Sequence, residues 1–355
     1  MTITAEPKGP RRPAITLPLA PPPGRPLRVA IVTGSYGAGH NAASREIART
    51  LTDAGCVVET YDVVDLMRLG MGRVLQTGYS RQLREQPRSW ETTLRMLEPG
   101  KPGHYAVTRL LRFLSTVRVA EAVRGFDLAI ATQPFAAQAL GAARRSGRVD
   151  VPVVTYLTDA SVPSIWIHPS VDLHVAIHDV AAAEARTLRA GETRTIRPLV
   201  TPAAVDCHAV TREDPLASYG IIGPRALLTA GALGIGDLEA AARDIAETGL
   251  ITPVVVCGTN GGLRDRLAGT PGVIALGWRD DLLDLIATSD VIVQNAGGFT
   301  SLEALASGVP VITYRPLPGH GRTNCLNLDR AGLVPWARNQ EDLVRLLKWA
   351  LDAPR

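Results

Sequence analysis

Short apolar runs recur along the chain: Arg28–Thr33 (RVAIVT), Val57–Asp62, Asp127–Thr132 and Val153–Leu157 in the first half, then Ala226–Ala230, Val254–Cys257, Val273–Leu276, Val291–Val293 and Val311–Tyr314 in the second. Runs of this length, bounded by glycine or polar residues, predict buried strands. Between them the apolar positions take helical spacing. Val107, Leu110, Leu111, Leu114 and Val117 mark a helix over 106–119; Leu83, Trp90, Leu94 and Leu97 mark one over 79–97; Leu302, Leu305 and Ala306 share a face over 299–306. Strands alternating with helices predict parallel sheets of the α/β class. From about Thr201 to Pro224 the periodicity lapses and Pro202, Pro215 and Pro224 intervene, which marks a boundary. The expected organisation is a proline-rich disordered leader over 1–26, a first domain over 27–205 and a second over 206–355.

Three strand-to-helix turns carry the chemistry. After the first strand comes GSYGAGH, with Gly34, Gly37 and Gly39 spaced G-x-x-G-x-G and His40 opening the helix; after 226–230 comes GALGIGD, with Gly231, Gly234 and Gly236 in the same spacing. Neither is the G-x-G-x-x-G dinucleotide fingerprint, and a phosphate loop would need Lys where His40 stands. The third turn, Gly297-Gly298, leads into Phe299, Thr300 and Ser301, with Glu303 one turn in. Free N–H groups and the helix dipole there favour an anion, typically phosphate, and a carboxylate beside it suits a ribose diol. At a helix start, His40 meets the positive end of the dipole, which favours a neutral imidazole and so a base. His174 and His178 lie on a strand-like run and read as structural; no metal is expected.

Charge changes this picture in one place. Between Leu66 and Arg124 eleven cations face four glutamates, a surplus of seven in a chain whose net charge is +4. That segment is also amphipathic and holds Trp90, a combination suited to an anionic membrane surface. Nucleic acid is not expected as a partner. No uncharged apolar run is long enough to span a bilayer, the first 26 residues hold eight prolines and no apolar signal core, and Cys56, Cys207, Cys257 and Cys325 are too scattered for zinc or a disulfide framework. The expected location is cytoplasmic, peripheral on the inner face of the membrane.

The segment Asp290–Asn324 resembles the donor site of family 28 glycosyltransferases, which include monogalactosyldiacylglycerol synthases, processive diacylglycerol glucosyltransferases and the N-acetylglucosaminyltransferase of peptidoglycan synthesis. It matches their pattern at Asp290, Gly297, Gly298, Thr300, Glu303, Ala304, Gly308, Pro310, Pro318, Gly319 and Asn324. Gly37, Gly39, His40 and Ala43 match the family's first glycine loop, and Gly258 and Asn260 its C-G-x-N. With two strand–glycine-loop–helix halves, the resemblance implies the GT-B architecture, two Rossmann-like domains facing across a cleft. It implies an inverting transfer from a UDP-sugar, a co-substrate rather than a cofactor, to a lipid-linked acceptor. His40 or Asp159 is the candidate base. Gly231, Gly234, Asn260, Gly277, Gly297, Gly298, Thr300, Glu303, His320, Arg322 and Asn324 are expected at the donor, and Gly37, Gly39 and Trp90 on the acceptor side.

The departures matter as well. Gln133 and Pro163 stand where the family has histidines, and His320-Gly321 where it has Gln-Glu. Loss of a carboxylate at 321, with Arg322 next to it, suggests a uronic-acid donor with His320 and Arg322 near its carboxylate; a neutral sugar is the alternative. Two other functions remain open: a sugar-nucleotide 2-epimerase of the same architecture, and a non-catalytic nucleotide-sugar or membrane-docking module.

Overall fold

A computed structural model describes residues 2–3, 15–16, 23–85, 101–205 and 214–353. The chain divides into two compact units, the break falling between Leu199 and Val200. The leader positions 4–14 and 17–22, together with Arg88, Trp90, Arg95 and the second half of the segment at 80–91, lie outside the described residues.

The first unit is a six-stranded parallel sheet. In chain order its strands are β1 (Arg28–Thr33), β2 (Val57–Asp62), β3 (Leu128–Ala131), β4 (Val153–Leu157), β5 (Leu173–Ala176) and β6 (Glu192–Thr195); across the sheet they run β2-β1-β3-β4-β5-β6. The helices are α1 (Ala38–Asp53), α2 (Val63–Leu66), α3 (Met71–Glu85), α4 (Pro102–Ala122), α5 (Pro134–Arg145) and α6 (Asp179–Thr187). The central strands β3, β4 and β5 are buried at every position, as expected for a parallel sheet covered on both faces. The edge strands β2 and β6 are largely exposed. Val32, Leu140, Val119 and Phe126 belong to the core cluster that seats α4 and α5.

The second unit repeats the plan. Its strands are β7 (Arg225–Thr229), β8 (Thr252–Val256), β9 (Ile274–Leu276), β10 (Val291–Gln294), β11 (Val311–Tyr314) and β12 (Trp336–Ala337), ordered β9-β8-β7-β10-β11-β12 and parallel throughout. The helices are α7 (Pro202–Val205), α8 (Leu238–Glu247), α9 (Gly261–Leu267), α10 (Leu282–Ala287), α11 (Phe299–Ala306), α12 (His320–Arg330) and α13 (Gln340–Asp352). Leu228, Val255, Val293, Ile312 and Leu347 pack in its core. In each unit the strand order reverses once, between β1 and β3 and between β7 and β10. Ligands of open α/β sheets bind beyond the carboxyl ends of the strands at such a reversal, where the glycine turns lie.

Candidate active site

In the second unit the reversal joins two turns. After β7, the loop Gly231–Gly236 leads through Asp237 into α8. Gly234 has φ +54°, and a Cβ there would strike the Cys257 carbonyl, so only glycine lets the loop lie against the end of β8. Asn260 fixes it there: its Nδ2 donates to the Gly234 carbonyl (2.9 Å) while its Oδ1 caps α9 at the Leu263 N–H (3.1 Å). Asn260 thus acts on the loop rather than presenting an amide outward. Arg315 secures the far end of the same loop. Its guanidinium donates to Asp237 (2.7 Å) and Asp244 (2.8 Å), and its φ of +46° is a left-handed conformation that costs a non-glycine residue about 1–3 kcal/mol.

The turn after β10 is held from both sides by amide side chains. Gln294 Oε1 accepts from the N–H groups of Ala296 (2.6 Å) and Gly297, and its Nε2 donates to Thr313 Oγ1 (2.6 Å). Asn324 Nδ2 donates to the carbonyls of Ala296 (2.7 Å) and Gly297 (3.2 Å). Gly297 has φ +70°, and a Cβ there would lie 2.6 Å from Leu328 Cδ1. With those two N–H groups engaged, and the Ser301 N–H turned back to the Gly298 carbonyl (3.0 Å), the N–H groups that an incoming anion would meet at the start of α11 are those of Gly298, Phe299 and Thr300. A Cβ at Gly298 would meet nothing within 4 Å, so the approach to that turn is open. Thr300 stands on it, half-buried.

Glu303, one turn further, is buried at 9% exposure, and its Oε1 accepts from Thr201 Oγ1 (3.2 Å). Ser307 Oγ bonds both the Ala204 and the Glu303 carbonyl (2.8 Å each), so α7 and the residue before it brace α11. Gly277 follows β9, and a Cβ there would meet the Arg264 side chain at 3.9 Å, ordinary van der Waals contact. His320 opens α12, half-buried behind Gly319 (φ +79°). Gly321 does not open space. A Cβ there would sit 3.0 Å from Leu317 Cβ, so Leu317 occupies the room a larger residue would need. Arg322 is exposed, with its guanidinium 5.7 Å from the centroid of the Trp336 ring.

In the first unit, the loop after β1 is held by side-chain hydrogen bonds. Ser35 donates to Asp62 Oδ2 (2.5 Å), Asn41 Nδ2 donates to Ser35 Oγ (2.9 Å), and Thr33 donates to Asn41 Oδ1 (3.0 Å). Gly37 caps α1 in extended conformation and Gly39 lies in its first turn. His40 follows, with its ring edge-on to Trp166 at 5.7 Å and its Nδ1 3.3 Å from Thr158 Oγ1. The Thr158 hydroxyl also lies 3.2 Å from Asp159 Oδ2. A carboxylate only accepts, so the hydroxyl donates to Asp159 and its oxygen accepts from Nδ1–H of His40. The lone pair is then on Nε2, the state a base requires. Thr158 therefore connects the two predicted catalytic residues, a link that their sequence positions do not reveal. Tyr79, on α3, is pushed up to about 12 by burial and by the Asp159 charge. His178 is held below its ordinary range by burial, against the opposing pull of Asp159 and Asp179.

Gln133, where the family has histidine, caps α5 by accepting from Phe135 N–H (2.6 Å) and Ala136 N–H (3.1 Å), and it lies directly under Gly34. Pro163 precedes the short turn Ser164–Trp166. His174 is wholly buried in the sheet and lowered to about 4 by desolvation. Among the described residues, no group of three or more His, Cys, Asp or Glu side chains could hold a metal ion.

No protein-family profile matches the chain. A processive diacylglycerol beta-glucosyltransferase of Bacillus subtilis is 26% identical over 211 residues, which is 57% of this chain and 54% of the relative. The chain thus spans about half the length of that relative. The enzyme of the same name from Bacillus cereus is 23% identical over 332 residues, 89% of this chain and 83% of the relative. Among solved structures, Phytolacca americana UGT2, complexed with UDP-2fluoro-glucose and pterostilbene, superposes with a TM-score of 0.55 at 13% identity, covering 92% of this chain and 90% of the other. Acinetobacter baumannii MurG gives 0.53 at 15% identity, covering 92% and 95%. These likenesses establish the fold, that of the GT-B glycosyltransferases.

Proposed function

We propose that this chain, a glycosyltransferase of the family 28 kind that uses UDP-sugars, moves a hexose from its UDP donor to a lipid acceptor at a membrane surface, with inversion at the sugar. The observation that carries the donor half is the turn from Gln294 to Thr300, whose inner N–H groups are occupied and whose helix start adjoins the open side of Gly298. Diphosphate would rest on those N–H groups and on the Gly231–Gly236 loop, which need no reorganisation as the leaving group gains charge. Glu303 would take the ribose diol, with Thr201 fixing one of its oxygens, and the backbone at Gly277 would face the uracil. The acceptor hydroxyl attacks the anomeric carbon, the bond to the diphosphate breaks, and the hydroxyl proton passes to Nε2 of His40. One base and no covalent intermediate give inversion.

The lipid half rests on a surface of the first unit. Phe113 (66% exposed), Tyr105 (64%) and Leu69 (89%) stand out from α4 and the turn at 68–70, with Leu110, Val117 and Val74 also exposed. Arg68 lies over the Phe113 ring at 5.6 Å, and Arg73 and Arg109 are exposed beside them. Apolar side chains interleaved with arginines suit the boundary of an anionic leaflet. No helix among the described residues is long and apolar enough to cross a membrane. Docking on the inner face of a membrane is therefore the proposed mode.

For the donor sugar, a neutral hexose fits better than a uronic acid. Leu317 fills the space beside Gly321 and Arg322 is engaged over Trp336, which leaves His320 alone to meet a carboxylate. Competition in phosphatidylglycerol vesicles containing diacylglycerol tests this: label from UDP-glucose should enter the lipid fraction in preference to label from UDP-glucuronate. Preferred use of the glucuronate would overturn the donor assignment, and release of free sugar without lipid product would favour an epimerase.

A further inference from the structure

Behind Trp166 lies a buried polar link that the transfer chemistry does not use directly. Gln138, on α5, is 2% exposed. Its Oε1 accepts from Arg112 Nε (3.1 Å) and from a second guanidinium N–H of Arg112 (2.6 Å). Its Nε2 donates to the carbonyls of Ile165 (2.8 Å) and Ile167 (2.9 Å). The amide orientation is forced, because a guanidinium only donates and carbonyls only accept. The two carbonyls flank Trp166, whose ring packs against the His40 imidazole. Gly141, one turn along the same face of α5, has no side chain to keep the His168 ring away: a Cβ there would collide with it. The segment from Ile165 to His168 is thus seated on α5 by one amide and one glycine.

At its other end the link reaches α4. Arg112 is half-buried on the helix that also carries the exposed Leu110 and Phe113. Its charge is disfavoured by burial and by Arg145, which lower its pKa, so its bonds to Gln138 offset a real desolvation cost.

We propose that Gln138, oriented by Arg112, is a positioning residue for His40. By holding the Ile165 and Ile167 carbonyls it fixes Trp166, and Trp166 holds the imidazole where Nδ1 meets Thr158. The inference rests on His40 being the base, and it starts on the helix that the proposed function sets against lipid.

The test uses the full-length protein, and its first readout needs no acceptor. Isotope-labelled histidine NMR, with the His40 signal assigned through His40→Gln, gives the titration and tautomer of the imidazole directly. Gln138→Glu keeps the size of the side chain and a partner for Arg112 but loses both N–H donors. It should move the His40 midpoint by about half a pH unit or more and lower the Nδ1–H tautomer population. In the transfer assay kcat should drop about tenfold with the donor KM unchanged. If that variant does not fold, Arg112→Leu, which releases the amide to rotate, should give the same changes in milder form. A folded Gln138→Glu or Arg112→Leu protein whose His40 titration and tautomer match the wild type would overturn the proposal. That outcome differs from failure of the base assignment, in which His40→Ala itself would keep its turnover.

Discussion

The two units open with the same spacing, a strand followed by G-x-x-G-x-G and a helix, yet the two loops are built to do different things. In the first unit the loop is laced by side chains, Ser35 to Asp62 and Asn41 to Ser35, and it delivers an imidazole at the start of α1. In the second, backbone lies on backbone: Gly234 rests on the Cys257 carbonyl, and Asn260 and Arg315 clamp the loop at Gly234 and Asp237. Side-chain lacing positions a titratable group, whereas close backbone packing is what the proposed diphosphate site requires. The glycine spacing alone does not separate these roles; the residues that tie each loop down do.

The comparison breaks most severely at Gly297. Gly297→Ala puts a side chain at positive φ against Leu328, and left-handed strain plus overpacking should cost roughly 3 kcal/mol or more. Thermal denaturation should show a large fall in Tm together with loss of UDP binding; an unchanged Tm would mean that the turn has more room than its geometry shows. His40→Ala should leave UDP affinity untouched while lowering kcat about a hundredfold, close to 2.7 kcal/mol of barrier. Turnover within a few-fold of wild type would move the base to Asp159. Glu303→Ala should act in the opposite sense, weakening UDP binding by roughly 1.5–3 kcal/mol, the worth of a charged hydrogen bond. Calorimetric titration would read that loss, and equal affinity would take Glu303 out of the donor site.

The smallest effect separates the units by pH. His168 and His174 are buried in the first unit and both are lowered to about 4, chiefly by desolvation. A histidine whose folded pKa lies below its unfolded value adds stability above about 6.5, and that stability is lost as pH falls toward 4, because only the unfolded chain binds the proton in that window. By pH 6 each should remove about 1 kcal/mol. Mild acid should therefore loosen the first unit before the second, seen as earlier hydrogen exchange in β4 and β5 than in β7 and β10. Simultaneous loss would contradict it.

Much of this architecture was legible in the residues. The apolar runs became β1, β3, β4, β7, β10 and β11, because strands buried on both faces must be apolar throughout. Strand β6 (Glu192–Thr195, ETRT) carries no such signal, since an edge strand is half-solvated. The start of α3 at Met71 was likewise missed, because Gly72 and Gly78 interrupt its pattern. At the site, the glycines, His40 and Glu303 stood out by type and spacing. Thr158, Gln294, Thr201 and Arg315 did not: their roles come from bringing strand ends together, and a threonine or glutamine at a strand end has no mark of its own. Nor does the exchange of a carboxylate for glycine at 321 reveal its surroundings, because Leu317 packs against that position from four residues away.

Which loop takes the nucleotide decides between these roles, and a crystal structure of the full chain with UDP tests that most directly. The diphosphate should lie against the N–H groups of Gly298–Thr300 and the Gly231–Gly236 loop, with the ribose hydroxyls on Glu303. A diphosphate seated on Gly34–His40, or a ribose held by groups other than Glu303, would contradict it.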